Sequence, residues 1–499
     1  MNKFAKLLGY DPVEKQTSVK TEIIAGIVTF LAMAYILTVN PNQILYASTA
    51  DPRWSSLFIA TAFGAIIGTL LMAFLAKMPL AQASGMGLNS LVGTIIGGGV
   101  GAYSVYVFHF TIGQAFAMVL ISGVIFLLLS VIKIKGKTFR ELVFDGMPVP
   151  VRSAISVGIG LFIAYIGFQN AGVIVGNQYT QVALADFTNW DTCKPAVVAL
   201  IGLFLIAILD KLNVKGSVIL GILGATVIGI PFGVTNVKVI TGTEGISWKF
   251  WENFANFFTV GEDSVFGSFT SVFTDGFPAG SLFTVIMLII TMCMIDMFDT
   301  MGTIVGCCGG NRELSDENNK PHNYGKIMIS DAVATCAGAA LGTSTVTTFV
   351  ESGAGVSAGG RTGLTAFTTA CMFLLAIFAM PFFAMIPSAA TAAALIYVGV
   401  LMMKNNVKSV DFGNAINATT AFLTIVVMVL SYSITKGIGI GMLSYTLMSA
   451  IAYGAEWIKY SLTKKEEGEE VEKPQWNVSI VALIVTALFV VYFFVPTVV

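Results

Sequence analysis

The chain predicts an all-α protein that crosses a membrane many times, and three observations predict it. Hydrophobic residues make up 56% of its 499 residues and charged residues only 11%, against about 25% charged in a typical soluble domain. Its apolar runs are about 17–25 residues long, the length that carries a helix across a bilayer. Its Lys and Arg residues are concentrated in the loops on one side of the membrane. A chain this apolar must use lipid as solvent, where only helices or closed barrels satisfy the backbone. These runs are too long and too evenly apolar for the alternating strands of a barrel.

Fourteen segments follow in order. The first seven cover 23–43, 56–76, 79–100, 110–132, 150–172, 194–210 and 216–233. The next seven cover 281–307, 326–342, 343–362, 364–386, 388–403, 416–434 and 437–458. A polar arm, 1–22, precedes them and is too charged for a cleaved signal peptide. The stretch 234–280, rich in Gly, Phe, Thr and Trp, reads as an extracytoplasmic linker between two bundles of seven. After the fourteenth segment a charged cytoplasmic linker, 459–476, leads to a further apolar run, 477–499, long enough for an extra C-terminal helix.

Charge tests this map. With the N-terminus in the cytoplasm, the outside loops hold only Arg53, Lys194, Lys238, Lys249 and Lys436 of the 27 basic residues; the rest fall inside. A miscounted helix would scramble that asymmetry. The chain is therefore expected in the cell (inner or plasma) membrane, N-terminus inside. A net charge of −1 gives no field for nucleic acid.

The two bundles resemble each other. At an offset of 268, Ser84-Gly85-Met86-Gly87 matches Ser352-Gly353-Ala354-Gly355, Phe30 matches Phe298, Met33 matches Met301 and Ile36 matches Ile304. Seven is odd, so the second copy enters the membrane upside down, which predicts an inverted repeat. Segments three and ten both look broken. Thr343 to Val350 is Thr-rich and β-branched, a short strand, and a Ser-Gly-x-Gly turn follows it. Segment three carries Pro79 and a similar turn. Irregular backbone at membrane depth is tolerated only inside protein or at a cavity. Two half-helices starting there would aim free N–H groups, around Gly87 and Gly355, at acceptor atoms of a solute.

Three acids inside apolar segments carry the sharpest signal: Asp296, Asp299 and Glu351. A charge at the bilayer centre is costly and marks a functional candidate. Asp296 and Asp299 stand i, i+3 on one helix face and make a protonatable pair. The two histidines, His109 and His322, fall near loops, so a proton relay would run on carboxylates. A buried acid satisfied by Ser and Thr is the plain alternative for each. Asn89 can donate and accept toward a base edge, or bond a neighbouring helix. Phe349, two residues before Glu351 in an extended stretch, would put its ring beside the carboxylate. Phe30 joins the binding set from segment one. Asp331, at the start of segment nine, reads as an interfacial residue or helix cap.

Other chemistries find no support. The six cysteines lack metal-ligand spacing, and no Walker, Gly-x-Ser-x-Gly or His/Cys cluster appears, so neither a metal nor a cofactor is expected. An anion permease would want a basic residue at the site. A prenyltransferase reading of Asp296 and Asp299 as a magnesium pair would want a second acidic cluster. An enzyme is therefore not expected.

The segments Gln82–Asn89, Asp296–Thr303 and Thr343–Gly355, with Asn40-Pro41 after Met33-Ala-Tyr-Ile-Leu, resemble the AzgA-like purine permeases, a branch of the nucleobase/ascorbate transporter superfamily. The resemblance spans about residues 15–460. It implies a seven-plus-seven inverted repeat with core and gate domains, and symport of guanine, hypoxanthine or adenine with a proton by an elevator-like motion, often as a homodimer. Sodium stands as the alternative co-ion. Carried over residue by residue, the binding positions fall on Asn89, Asp296, Asp299 and Glu351, with Phe349 beside the base. Two adjacent N–H donors on guanine would suit a bidentate Glu351, and Asp296, Asp299 or Glu351 would hold the coupling proton. The Gln-Asn-x-Gly signature of the xanthine, uric acid and ascorbate branches is replaced here by Glu351-Ser352-Gly353. The run 477–499 lies beyond the usual pattern.

Overall fold

Each predicted segment is met by an element of regular structure. The computed structural model describes residues 6–494 apart from 12–14, 46–50, 52, 97–109, 135–136, 139–141, 143–145, 215, 240–247, 259–264, 266–269, 271, 273–275, 279, 309–310, 316–320 and 467–472. His109, about half of the 234–280 stretch and part of the charged linker thus lie outside the described residues.

Segment one is two helices, α1 (Val19–Met33) and α2 (Ile36–Leu45). Ser18 starts α1 by accepting a hydrogen bond from the Thr21 N–H. The helix breaks at Ala34 and Tyr35, and α2 carries Pro41 within it. Segment two is α3 (Arg53–Leu71) with a π turn, Met72–Ala76. Segment three is a strand, β1 (Gln82–Ser84), and a helix, α4 (Met86–Ile96). Segment four is α5 (Ile112–Val131), opened by a capping box between Thr111 and Gln114. A small hairpin, β2 (Lys133–Ile134) with β3 (Lys137–Thr138), leads to segment five, α6 (Val149–Asn170). Strands β4 (Ile174–Asn177) and β5 (Gln181–Leu184) form a second hairpin, between segments five and six. Segments six and seven are α7 (Trp190–Lys211) and α8 (Ser217–Gly229).

In the connecting stretch, α9 (Phe250–Phe257) buries Asn253 and Phe257 and lays Phe254 and Phe257 on Phe63 of α3. The second bundle begins with an unbroken α10 (Leu282–Cys308) and α11 (Tyr324–Leu341). Segment ten is β6 (Val346–Thr348) and a single short turn of helix, α12 (Ser352–Ser357). Then come α13 (Gly363–Phe378), α14 (Met380–Ala384), α15 (Ser388–Asn406), α16 (Ala415–Leu430) and α17 (Ile434–Glu466). The extra C-terminal helix is present as α18 (Ile480–Phe494). Among the described residues eight helices are long and apolar enough to cross a membrane, and shorter apolar helices fill the remaining places.

The chain divides into two compact units. One comprises 1–132, 163–398 and 498–499; the other comprises 133–162 and 399–497. Inside the smaller unit, α16 packs on α17, Gly158 meets Met428, and α18 lies on α17 through Gly439 against Phe489 and a 2.9 Å bond between Thr446 and Thr486.

The larger unit is organised on the two broken segments. β1 and β6 pair antiparallel, with Gln82 opposite Thr348, Ala83 opposite Thr347 and Ser84 opposite Val346. This is the symmetry an inverted repeat requires, with the pseudo-two-fold at Ala83 and Thr347. The matching elements are not offset by 268, however. The strands begin at Gln82 and Val346, an offset of 264, and their helices begin at Met86 and Ser352, an offset of 266. Segment ten inserts the turn Phe349-Val350-Glu351 where segment three has Gly85 alone. The Ser-Gly-x-Gly match therefore aligns the end of a strand with the start of a helix.

Candidate functional site

The site is built where the three chain breaks meet. Glu351 lies in the extra turn between β6 and α12, and is 6% exposed. Its Oε1 accepts a hydrogen bond from the hydroxyl of Tyr35, in the break between α1 and α2. The Tyr35 oxygen also lies 3.6 Å from Sδ of Met86, the first residue of α4. Glu351 Oε2 is buried with no hydrogen-bond partner among the described residues. Asp299 of α10 lies within electrostatic range of the Glu351 carboxylate. Two turns further along the same face, Cys307 Sγ sits 3.4 Å from the Val350 carbonyl oxygen and holds the turn that carries Glu351. Buried acceptors without donors are expensive, about 1–3 kcal/mol each and more when charged, so Oε2 is an open demand for an N–H, an O–H or a proton.

The other expected residues divide into those at this point and those beside it. Asp296 turns toward α11, accepting from the Thr335 hydroxyl at 3.2 Å, so the i, i+3 pair serves two neighbours. Asn89 Oδ1 accepts from Ser84 Oγ at 3.2 Å and from the Ser344 hydroxyl. Ser84 in turn meets Thr343 at 3.0 Å, and Asn40 Nδ2 donates to Thr343 and Thr61 at 2.8 and 2.7 Å. Asn89 is thereby fixed in a polar chain joining segments one, two, three and ten.

Phe349 is buried and donates its N–H to the Ala81 carbonyl at 3.0 Å, extending the strand pairing. The period-two argument that placed its ring beside Glu351 does not carry. The extended stretch ends at Thr348, and Val350 and Glu351 are in a turn. Phe30 packs its ring edge-on to Phe373 of α13, centroids 5.1 Å apart. Gly355 faces α1, where an added Cβ would fall 2.0 Å from Thr29 Oγ1. The expectation of free N–H groups fails at the half-helix of segment ten. In α12 the N–H groups of Ser352, Gly353 and Ala354 already donate to the carbonyls of Phe349, Val350 and Glu351. In α4 the N–H of Asn89 bonds the Gly85 carbonyl at 2.8 Å, so Met86, Gly87 and Leu88 supply the first-turn N–H groups that have no carbonyl within their own helix.

Two site residues are not evident from the sequence. Tyr35 gives no signal in an apolar run; the nearest hint is the motif it sits in. Asp331 is fully buried, not a cap or an interfacial residue. Helix α11 starts at Tyr324, two turns earlier, which carries Asp331 down to the strand crossing. There it accepts from the Thr300 hydroxyl at 2.9 Å through both oxygens and from Gln82 Nε2 at 3.0 Å. Thr300 is also 2.7 Å from Thr347 of β6. The far end of α12 is clamped as well. Arg361 donates to the Val356 and Gly360 carbonyls at 2.6 and 2.8 Å and pairs with Glu313 at 2.8 Å. Fully buried Glu22 accepts from the N–H groups of Arg361 and Thr362 ahead of α13.

No group of three or more His, Cys, Asp or Glu able to hold a metal occurs among the described residues.

A multi-pass helical fold whose broken segments enclose a buried, half-satisfied carboxylate defines a membrane permease. Comparison with known proteins agrees. The model of the nucleobase/ascorbate transporter group, described as "Permease family", matches residues 20–440. Adenine permease AdeQ of Escherichia coli is 35% identical over 87% of this chain and 88% of its own length. Guanine/hypoxanthine permease PbuO of Bacillus subtilis is 35% identical over 88% of this chain and 93% of its own. The fold is shared with the transmembrane domain of a cyanobacterial bicarbonate transporter, BicA, at a TM-score of 0.57 and 16% identity, covering 85% of this chain and 97% of that one. The chain belongs to the nucleobase/ascorbate permease family; it is a transporter and not an enzyme.

Proposed function

We propose that this permease imports purine nucleobases together with a proton across the cell membrane, with its N-terminus in the cytoplasm. The observation that carries the reading is the Glu351 carboxylate, buried at the meeting of three broken segments with one oxygen left open. A purine presents N–H donors along one edge and ring-nitrogen acceptors elsewhere. Glu351 takes a donor through Oε2, and the first-turn N–H groups of α4 around Gly87 face the acceptors. Asp299, sharing the field of Glu351, takes the coupling proton. Neutralising it removes one of two like charges from a poorly hydrated space and lets the loaded site move by an elevator-like displacement. Two relatives named above carry purine bases in their names, one adenine and the other guanine/hypoxanthine, which supports the class and leaves the base open.

Uptake of labelled hypoxanthine, guanine and adenine by permease-deficient cells tests this. Glu351→Gln is expected to lower uptake at least tenfold at equal membrane abundance, and normal uptake would overturn its binding role. Asp299→Asn is expected to allow exchange but no accumulation against a gradient; accumulation driven by a proton gradient would remove it from coupling.

A further inference from the structure

We infer that Tyr35 sets the specificity of the site by making Glu351 a single-oxygen acceptor. The inference rests on the purine reading above and names the purine chemistry the site accepts. A free carboxylate can take two adjacent N–H donors in parallel, the bidentate arrangement that guanine offers through N1–H and its 2-amino group. Here one half of that fork is taken. The fully buried Tyr35 donates its hydroxyl to Oε1, and its place is fixed from three directions: the helix break that presents it, the Met86 sulfur beside its oxygen, and the burial of its ring. Oε2 is the oxygen left without a partner among the described residues, and any donor approaching Oε1 has to share it with the Tyr35 hydroxyl.

Segment eight, the inverted counterpart of segment one, runs as one unbroken helix over Leu282–Cys308. The break that delivers Tyr35 is therefore a feature of one repeat alone. A site with one open acceptor oxygen rewards one N–H at that edge. It gains little from a second, which would have to share Oε1 with Tyr35, so a 2-amino group on a 6-oxopurine brings little extra affinity. This reverses the expectation that a bidentate Glu351 favours guanine.

Equilibrium binding of guanine and hypoxanthine to the purified full chain in lipid nanodiscs tests the inference, because the two bases differ only in the 2-amino group. In the wild-type protein their Kd values are expected within about threefold of each other. Tyr35→Phe frees Oε1, and guanine should then gain about tenfold on hypoxanthine, the worth of one added charge-assisted hydrogen bond. With Glu351→Gln as well, that gain should vanish. A wild-type protein that prefers guanine tenfold or more overturns the inference with no variant needed. So does a folded Tyr35→Phe with an unchanged ratio. A general loss of packing would weaken both bases alike and leave the ratio where it was. If the wild-type protein binds no purine base, the functional reading itself falls; binding with the wrong ratio removes only the role of Tyr35.

Discussion

Asp331 ties segment nine to segments three and eight at the strand crossing. By sequence it stands near the edge of an apolar run; in the fold it is fully buried and gathers Thr300 and Gln82 around its carboxylate. Asp331→Asn replaces an acceptor oxygen with an NH2 group that faces donors already in place. A loss of about 1–3 kcal/mol is expected, seen as a lower unfolding temperature in detergent together with reduced uptake. The acids Asp296, Asp299 and Glu351 are legible in the sequence because a charge inside an apolar run is too costly to keep without a use. Tyr35 is not, because tyrosine is at home in such a run and its role depends on a break between helices. Asn89 is legible as a polar residue of the half-helix, while its partners Ser84 and Ser344 come from chain 5 residues before it and 255 residues after it.

At the scale of elements, α12 matters most. It is six residues long, carries Glu351 at its head and is held at its tail by Arg361. A helix that short has little stability of its own and depends on its packing. Gly355 lets it lie directly on α1, since a methyl group there would meet Thr29 Oγ1 at 2.0 Å and the Ala25 carbonyl at 2.9 Å. Gly355→Ala is expected to displace α12 and cut uptake at least tenfold while the protein still reaches the membrane. Adding Thr29→Ala should recover part of the loss, because it removes the nearer obstacle. The strand-and-turn character of segment ten is legible from its β-branched run and glycines. The two extra residues that distinguish its turn from that of segment three are not, because the two Ser-Gly-x-Gly runs match each other at a different offset.

At the scale of the whole molecule, fourteen spans can be read because lipid allows few backbone solutions and charge labels the loops. The small extramembrane elements, β4 with β5 and α9, are not legible. Their stability comes from aromatic and backbone contacts with no periodic signature, such as Phe254 on Phe63. The orientation expected from the Lys and Arg distribution is directly measurable. In a background without Cys371, an exposed thiol, cysteines at Arg53 and Lys249 should react with an impermeant maleimide added outside whole cells. Cysteines at Lys404 and Lys459 should react only after the cells are opened. The reverse pattern would invert the topology.

The pairing of β1 with β6 also has a history in time. In hydrocarbon a strand cannot leave its N–H and C=O groups bare, yet the partner of Gln82–Ser84 lies 264 residues further along. At roughly 5–20 residues per second of synthesis, that separation corresponds to roughly 10–50 s. Through that interval the first half of the newborn chain has an uncapped seam. It must be sheltered by water, by lipid headgroups or by the insertion machinery until its second half arrives. The meeting of two three-residue strands therefore waits on segment ten, and it becomes possible before segments eleven to fourteen have been made.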